Sequence, residues 1–478
     1  MKTFSAVLVL LAVGGSAGGS DLSREDAAAA LRKAAGFFRT QVSAEGGYLW
    51  RYSSDLARRE GEGRATATMA WVQPPGTPTV GGAFLTAWEL TGDEFYLDAA
   101  RETAMALVRG QLRSGGWDYR IEFDPRERPA WAYRVDEPRE DRRDRQRNIA
   151  TLDDDTTQAA VRFLMRVDQA LEFRDETIHE SARYALRSLL KVQYPNGAWP
   201  QRFSEPPDPG KHPVLKASYP DSWPRTWPDE NYRDYYTFND NAIADTIDLM
   251  FEAAEIYGRD EYRTAAGKAG DFILLAQMPE PQPAWAQQYD AEMHPTWARR
   301  FEPAAVTGGE SQGVLRTLLG LYRRTGQQKY LAPIPAALDY LKRSRRADGR
   351  LARFYELQTN RPLYFTRAYE LTYDDGDLPT HYAFVVDSRL DSIEKEYERL
   401  KAAGPQTLAR DAARETAGNR QADGVRLTSS LTAAARQAVD GLDERGAWVE
   451  PGRLRSHGDD DSTREIIDTR TFVKHVET

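Results

Sequence analysis

Two groups of acidic residues stand directly before predicted helices and could together bind a cation. The first is the run Asp153–Asp155 before a helix predicted over residues 159–171, and the second is Asp240 in the segment 237–242, where a helix is predicted to start at Ala242. A single acidic side chain suffices to cap a helix. The surplus carboxylates therefore suit a hard cation such as calcium, which takes only oxygen ligands. Helix capping alone is the alternative interpretation of both groups.

Arginines near the same helices could bind an acidic substrate. Arg299 and Arg300 lie together in the segment 297–303. Arg353, Arg361 and Arg367 follow a later glycine turn. Guanidinium groups bind carboxylates through two parallel hydrogen bonds. A cation site with arginines beside it fits an acidic carbohydrate better than a neutral one.

The composition excludes several classes of protein. The chain has 478 residues and no cysteine, which rules out a disulfide scaffold, a thiolate zinc site, an iron–sulfur cluster and a cysteine nucleophile. A formal net charge of -9 argues against a surface tuned to nucleic acid. The segment 309–313 matches the Gly-x-Ser-x-Gly motif of serine hydrolases. The residues before Ser311 do not predict the central parallel strand that this motif requires.

Repeated helical hairpins are the elements that must position these residues. A Gly-x-x-x-Tyr segment, a helical stretch, a Gln and a turn with Trp recur, for example from Gly92 through Gln111 to Trp117. Between the markers the apolar residues follow the helical period. The predicted fold class is all-α, with hairpins that stack as an open solenoid or as a closed (α/α) toroid. Either arrangement gathers the Trp turns at one end.

The chain is predicted to comprise three segments. Residues 1–19 have the basic start, apolar run and small residues of a signal peptide, so a secreted or periplasmic protein is expected. The apolar run is too short to span a membrane, and no later segment is predicted to do so. Residues 22–388 hold the repeats, and residues 389–478 are predicted to be a C-terminal helical extension and tail. Two long loops, 125–148 rich in arginine and 204–234 rich in proline, interrupt the repeats.

Five motifs in the same order resemble the family-ten pectate lyases. They are the segments 153–157 (DDDTT), 194–201 (YPNGAWPQ), 236–242 (YTFNDNA), 298–303 (ARRFEP) and 352–356 (ARFYE). The match runs over roughly residues 85–367, on a repeat that is helical throughout. The combination is specific, although each motif alone is weak.

The resemblance implies a fold, an activity and a metal site. The fold would be an α/α toroid, and the activity would be calcium-assisted β-elimination of polygalacturonate, which leaves a 4,5-unsaturated end. By motif position, Asp153 and Asp240 look like calcium ligands, with Asp154 beside Asp153. The family usually has Asn at the position of Asp154.

The resemblance also implies a catalytic base and a substrate-binding set. Arg299 looks like the base, and Arg353 and Arg367 resemble binders of the substrate carboxylates. Arg300, where the family usually has a small residue, and Trp199 are predicted to complete the substrate-binding set. An arginine pKa above about 12 makes a neutral guanidine rare. Arg299 is therefore expected to need desolvation and neighbouring cations, such as Arg300, Arg353 or calcium.

Two other functions are compatible with the same residues. A glycoside hydrolase on an α/α toroid would draw its acid and base from Asp153, Asp154, Asp240 and Glu302. A non-catalytic helical repeat would use the arginines to bind an acidic polysaccharide. All these readings predict an acidic glycan as the partner and leave the oligomeric state open.

Overall fold

The computed structural model describes residues 22–137, 145–404, 408 and 428–478. The predicted signal segment 1–19, part of the arginine-rich loop and most of the segment 404–424 lie outside the described residues. Within the described ranges, no helix combines the length and the apolar character needed to cross a membrane.

The helices pair as antiparallel hairpins, as the repeat predicts. In chain order they are α1 (Arg24–Phe37), α2 (Thr77–Thr91), α3 (Glu94–Gly110), α4 (Thr156–Ala170), α5 (Glu176–Val192), α6 (Ala242–Tyr257), α7 (Asp260–Leu275), α8 (Glu310–Thr325), α9 (Ile334–Arg343), α10 (Leu390–Ala402), α11 (Ser429–Asp440) and α12 (Thr469–Val476). Helices α2 and α3, α4 and α5, and α6 and α7 form hairpins, and their first helices lie side by side in the order α2, α4, α6. Helix α8 packs against α7 and α10.

The Gly-x-x-x-Tyr marker is the turn between the two helices of a hairpin. Gly92 and Gly258 end their helices at φ values of 68° and 66°, which glycine adopts without strain. The tyrosines that follow, Tyr96 and Tyr262, are buried in the first turn of the second helix. The marker therefore fixes both the end of one helix and the packing of the next.

The Gln marker joins successive hairpins. The Nε2 atom of Gln111, after α3, donates a 2.9 Å hydrogen bond to the carbonyl oxygen of Ser181 in α5. Gln193, after α5, donates an equivalent 2.9 Å bond to Ala265 in α7. Buried polar groups are paired in stable folds, so these residues hold the second helices in register.

Short antiparallel strand pairs close the other end of each hairpin. The strands are β1 (Arg51–Ser53), β2 (Arg59–Glu60), β3 (Met69–Trp71), β4 (Arg120–Glu122), β5 (Ala150–Thr151), β6 (Arg202–Phe203), β7 (Tyr236–Thr237), β8 (Gln288–Tyr289), β9 (Ala305–Thr307), β10 (Leu351–Ala352), β11 (Phe354–Glu356), β12 (Pro362–Phe365), β13 (Leu371–Thr372), β14 (Val385–Val386), β15 (Glu450–Pro451) and β16 (Glu465–Asp468). The pairs β3–β4, β5–β6, β7–β8 and β9–β11 each join the strand before a first helix to a strand after the second.

The last elements of the chain pack against the first. Strand β16 pairs with β1, with Asp468 opposite Arg51, and helix α12 packs on α2. The rings of Phe472 and Phe38 stack with centroids 3.7 Å apart. The row of hairpins thus bends round until its end meets its beginning, and the predicted toroid is confirmed. The division of the chain at residue 388 stays a prediction.

Candidate active site

Two matching turns bring the predicted metal ligands together. The turn Asp153–Asp155 follows β5, and the turn Asn239–Asn241 follows β7. Asp154 and Asp240 both have a φ of 49°, and the residue after each has a φ of 55–56°. The two turns stand at the start of the neighbouring helices α4 and α6 and therefore contact each other. They also share one backbone conformation. Asp154 is therefore the structural equivalent of Asp240.

The carboxylates of Asp153, Asp154 and Asp240 form one cluster. Each offers an oxygen atom within 4.8 Å of the other two. Neighbouring side chains orient these groups: the Tyr119 hydroxyl donates to Asp153 Oδ2 at 2.6 Å, and Gln201 Nε2 donates to Asp153 Oδ1 at 2.8 Å. The third acid of the first group, Asp155, lies outside the cluster and forms an ion pair with Arg162 at 3.3 Å.

The electrostatics of the cluster favour a bound cation. Burial, followed by the charges of Asp153 and Asp154, raises the pKa of Asp240 to about 7. Burial and the charge of Asp153 also raise the pKa of Asp154. Like charges this close disfavour ionisation unless a cation compensates them. An all-oxygen set with several negative charges has the ligand chemistry that calcium requires, so the residues fit that ion.

Arg299 lines the same polar pocket as Asp153, Gln201 and Arg202. Its Nε donates to Glu302 Oε2 at 2.9 Å, and its Nη2 donates to Glu302 Oε1 at 2.6 Å. The Glu302 side chain is only 2% exposed. Burial by itself lowers the pKa of Arg299, but the hydrogen bonds and charge of Glu302 outweigh it and raise that pKa above its ordinary value.

This ion pair corrects the environment expected for the predicted base. The sequence led us to expect cations beside Arg299, which would lower its pKa. The structure instead places the buried carboxylate of Glu302 there, and Gln287 Nε2 donates a further 2.5 Å bond to Glu302 Oε1. Arg299 is therefore held charged and in a fixed orientation.

Tyr382 lies between Arg299 and Arg353. The guanidinium carbons of these arginines lie 5.8 and 4.2 Å from the centre of the Tyr382 ring, and the Tyr382 hydroxyl bonds Glu302 Oε1 at 3.2 Å. Arg353 also forms an ion pair with the buried carboxylate of Glu310. Arg353 is thus near Arg299, but a carboxylate of the protein already binds it.

Arg300 and Arg367 meet at the turn between β12 and β13. Arg300 Nη2 donates to the carbonyl oxygen of Ala368 at 3.2 Å and lies over the ring of Tyr369. Arg367 is 73% exposed and pairs with Asp377 at 3.3 Å. Both side chains are exposed, so both are free to meet a substrate that extends past Arg299.

Trp199 does not take the predicted substrate-binding place. Its side chain is 1% exposed, and its Nε1 donates to the carbonyl oxygen of Leu189 at 2.9 Å. Trp117 and Trp285, in the same position of neighbouring repeats, are equally buried and bond the carbonyls of Leu107 and Ile273. The Trp marker is a core residue of each hairpin, so no face of the Trp199 ring is open to a sugar.

Ser311 has a structural role. Its Oγ accepts a 3.1 Å bond from the Trp285 amide and donates to the Trp285 carbonyl at 3.2 Å. Thr157 Oγ1 makes the same two bonds with Trp117. The serine therefore links the Trp turn to α8 and is buried away from the pocket.

Some residues of the site carry little signal in the sequence. Tyr119 and Tyr382 stand in no motif, although both contact the residues predicted to act. Gln201 belongs to the 194–201 motif, where only Trp199 was singled out. Its neighbour Arg202 lies one position beyond that motif. Contact with the carboxylate cluster or, for Tyr382, with Glu302 identifies these four residues, and only the fold reveals it.

The pectic acid lyase family model matches residues 127–350. This range contains the carboxylate cluster, Arg299 and Glu302. Over these residues the chain is similar to the pectic acid lyase family. The resemblance drawn from the motifs, and with it the prediction of a polysaccharide lyase, is confirmed. No curated protein matches the chain.

Solved structures similar to this chain include a family 10 polysaccharide lyase from Cellvibrio cellulosa. It is 20% identical with a TM-score of 0.45, and the alignment covers 68% of this chain and 97% of that one. A mutant of the Cellvibrio lyase in complex with trigalaturonic acid is also 20% identical, with a TM-score of 0.44 and coverage of 68% and 98%. Cellobiose 2-epimerase from Bacillus thermoamylovorans is 10% identical with a TM-score of 0.45, and covers 95% of this chain and 100% of that one.

Proposed function

We propose that the protein is a calcium-dependent pectate lyase that cleaves polygalacturonate by β-elimination. The observation that carries the proposal is the cluster of three carboxylates, one of which, Asp153, lines the same pocket as Arg299. The family match supplies the reaction class, and the arrangement of charges supplies the reason for an acidic substrate.

Asp153, Asp154 and Asp240 are proposed to hold the calcium ion. Bound there, calcium would withdraw electron density from the C6 carboxylate of a galacturonate unit and so make its C5 proton more acidic. Tyr119 and Gln201 each donate to one oxygen of Asp153. These bonds fix the orientation of the carboxylate while leaving lone pairs for a cation.

Arg299 is proposed to remove the C5 proton through Nη1. Glu302 binds the other two nitrogens, Nε and Nη2. Desolvation by the bound substrate favours the neutral form of the guanidine, which opposes the effect of Glu302. Once Arg299 has taken the proton, its charge stabilises the enolate-like anion. The bond from C4 to its oxygen then breaks, the leaving oxygen takes a proton from water, and a 4,5 double bond remains.

The contacts of the candidate carboxylates argue against the hydrolase alternative. A glycosidase places its two carboxyl groups on either side of the glycosidic bond. Asp153, Asp154 and Asp240 have oxygens within 4.8 Å of one another, and both oxygens of Glu302 are engaged by Arg299. A cation fits between the three aspartates better than a sugar linkage does.

Ultraviolet absorbance of polygalacturonate incubated with the protein tests the proposal. We expect unsaturated uronate to accumulate with added calcium, and excess chelator to abolish the increase. New reducing ends without unsaturated product would establish hydrolysis instead. Binding of polygalacturonate without either product would establish a non-catalytic glycan-binding protein.

Export through residues 1–19 is part of the same proposal, since polygalacturonate is a polymer outside the cytoplasm. Expression of the full chain followed by mass spectrometry of the released protein tests it. We expect a mature chain that begins near residue 20. A cell-retained protein that keeps residues 1–19 would contradict export.

A further inference from the structure

Arg202 is a basic residue beside the carboxylate cluster to which the proposed reaction gives no role. It lies in β6, opposite Thr151 of β5, which stands two residues before Asp153. Its side chain is 48% exposed and lines the same pocket as Asp153 and Arg299. The strand pair therefore fixes a guanidinium group next to the proposed calcium site.

The guanidinium of Arg202 is only lightly engaged by the protein. Its Nη2 donates to the Tyr119 hydroxyl at 3.2 Å and lies 3.9 Å from Asp153 Oδ2, too far for a direct hydrogen bond. Tyr119 in turn donates to Asp153 at 2.6 Å, so its hydroxyl stands between the two charged groups. A guanidinium has five N–H donors, and most of those on Arg202 are left for a ligand.

The other arginines of the site are arranged differently. Arg299 and Arg353 each form an ion pair with a buried glutamate, on the side of the pocket where Tyr382 lies. Arg202 contacts Tyr119 and Asp153 instead. The pocket thus carries Arg202 beside the carboxylate cluster in addition to Arg299, which is paired with Glu302.

We propose that Arg202 binds the carboxylate of a second galacturonate unit, next to the unit held at the calcium site. Every unit of polygalacturonate carries a carboxylate, and an exposed guanidinium can bind one through two parallel hydrogen bonds. Arg202 would then help to select a polyuronate over a neutral polysaccharide. This inference rests on the proposed function.

The variant Arg202→Gln tests the role through two readouts that move in opposite directions. Losing a charge-assisted bidentate contact is expected to raise the KM for polygalacturonate by about tenfold to a hundredfold, with kcat within about twofold. Calorimetric titration with calcium alone is expected to show binding about two- to fivefold tighter, because a cation 3.9 Å from Asp153 has been removed. A merely structural role through Tyr119 would instead weaken calcium binding.

Two further variants sharpen the result. Arg202→Lys keeps the charge but loses the paired donors, so a smaller rise in KM with unchanged calcium affinity is expected. Arg259→Gln is the matched control: this arginine is 47% exposed, pairs with Glu261 and lies at the far end of α6 from the Asp240 turn. It is expected to change neither value.

An unchanged KM in Arg202→Gln, or weaker calcium binding, would overturn the inference. Calorimetric titration with trigalacturonate separates it from the proposed function. If the parent protein makes no unsaturated product, the proposed function fails. Equal trigalacturonate affinity of parent and Arg202→Gln would then reject the role of Arg202, whereas a tenfold loss in the variant would support it.

Discussion

Replacing Asp240 with Asn is expected to stabilise the protein in the absence of calcium and to abolish the stabilisation that calcium gives. The substitution keeps the shape of the side chain, and Asn readily adopts the φ of 49° found at this position. It removes one of three negative charges whose oxygens lie within 4.8 Å of one another. The charge that Asp240 is proposed to use for binding calcium therefore also destabilises the protein when calcium is absent.

The size of the effect follows from the spacing of the charges. At a separation of 4.8 Å, the upper limit for the nearest oxygens of the cluster, two unit charges repel by about 1 kcal/mol at the dielectric of water and by about 3.5 kcal/mol at an effective dielectric of 20. Asp240 is exposed as a residue although neighbouring groups desolvate its carboxylate, so the value for water is used as a lower limit. Relief of its repulsion with Asp153 and Asp154 is then worth about 2 kcal/mol, which corresponds to a rise in Tm of roughly 2–4 °C.

The effect has a defined pH dependence. Burial and the charges of Asp153 and Asp154 raise the pKa of Asp240 to about 7, whereas an aspartate in the unfolded chain ionises near about pH 4. Between these values the unfolded state releases the proton first, so the free energy of unfolding falls as the pH rises. Asp240→Asn lacks this loss. We therefore expect it to match the parent at pH 4 and to exceed it at pH 8.

Scanning calorimetry at pH 4 and pH 8, with chelator and with excess calcium, measures both effects. At a calcium concentration 100-fold above its Kd, the free energy of unfolding of the parent at pH 8 is expected to rise by about 2.7 kcal/mol. No comparable rise is expected for Asp240→Asn. Asp245→Asn is the matched control, since burial and Asp155 also raise the pKa of Asp245 to about 7 outside the cluster. It is expected to keep the calcium effect. An equal calcium shift in parent and Asp240→Asn would refute the assignment of the ion site.

Three further substitutions test the base and the repeat. Arg299→Lys is expected to lower kcat by about a hundredfold or more, because lysine cannot make the two parallel bonds to Glu302. The absorbance of unsaturated uronate measures kcat, and full turnover would reject Arg299 as the base. Trp199→Phe is expected to cost about 2 kcal/mol in urea unfolding at unchanged KM, whereas a raised KM at unchanged stability would restore its role in binding. Gly197→Ala is expected to lower the free energy of unfolding by more than about 1 kcal/mol in the same experiment. The residue has a φ of 97°, and an added Cβ would lie 2.1 Å from the Lys268 carbonyl oxygen. An unchanged urea midpoint would show that the added Cβ causes no strain.

The hairpins could be predicted because their signals are local. Gly92 and Tyr96 stand four residues apart, and the turn that they form needs no distant partner. The joining of the chain's two ends could not be predicted in this way. Asp468 and Arg51 pair across β16 and β1 although more than four hundred residues separate them. Neither short strand has a sequence pattern that indicates which strand it pairs with. The sequence therefore does not decide between an open solenoid and a closed toroid.

The meeting of the acidic residues in one cluster was predictable for a related reason, but the conformation of the two turns was not. Both acidic groups precede first helices of successive repeats, so stacking alone brings them together. The repeat itself suggests a correspondence by position, yet the sequence does not reveal that Asp154 and Asp240 share one backbone conformation. Asp155 and Trp199 show the same limit. Both residue types are common in binding sites. Asp155 instead pairs with Arg162, and Trp199 is buried and donates to the Leu189 carbonyl oxygen, so neither faces the pocket.

Arg299 shows most clearly why residue type does not fix chemistry. A base must be able to lose its proton, but the nearest carboxylate, Glu302, stabilises the charged form of Arg299. Glu302 is itself fixed by Gln287 and Tyr382, so the pair is rigid before substrate arrives. The rigid pair holds the charged Arg299 in the lining of the pocket, where it can stabilise negative charge. In the proposed reaction, proton removal would have to draw on the desolvation that the substrate brings. Glu302→Gln is expected to move the rising limb of the plot of kcat against pH to lower pH, because Arg299 loses its proton more easily without the charge of Glu302. The same variant is expected to lower the maximal kcat, because Arg299 is no longer held in one orientation. A pH profile that keeps its shape in Glu302→Gln would mean that Arg299 acts only through its charge.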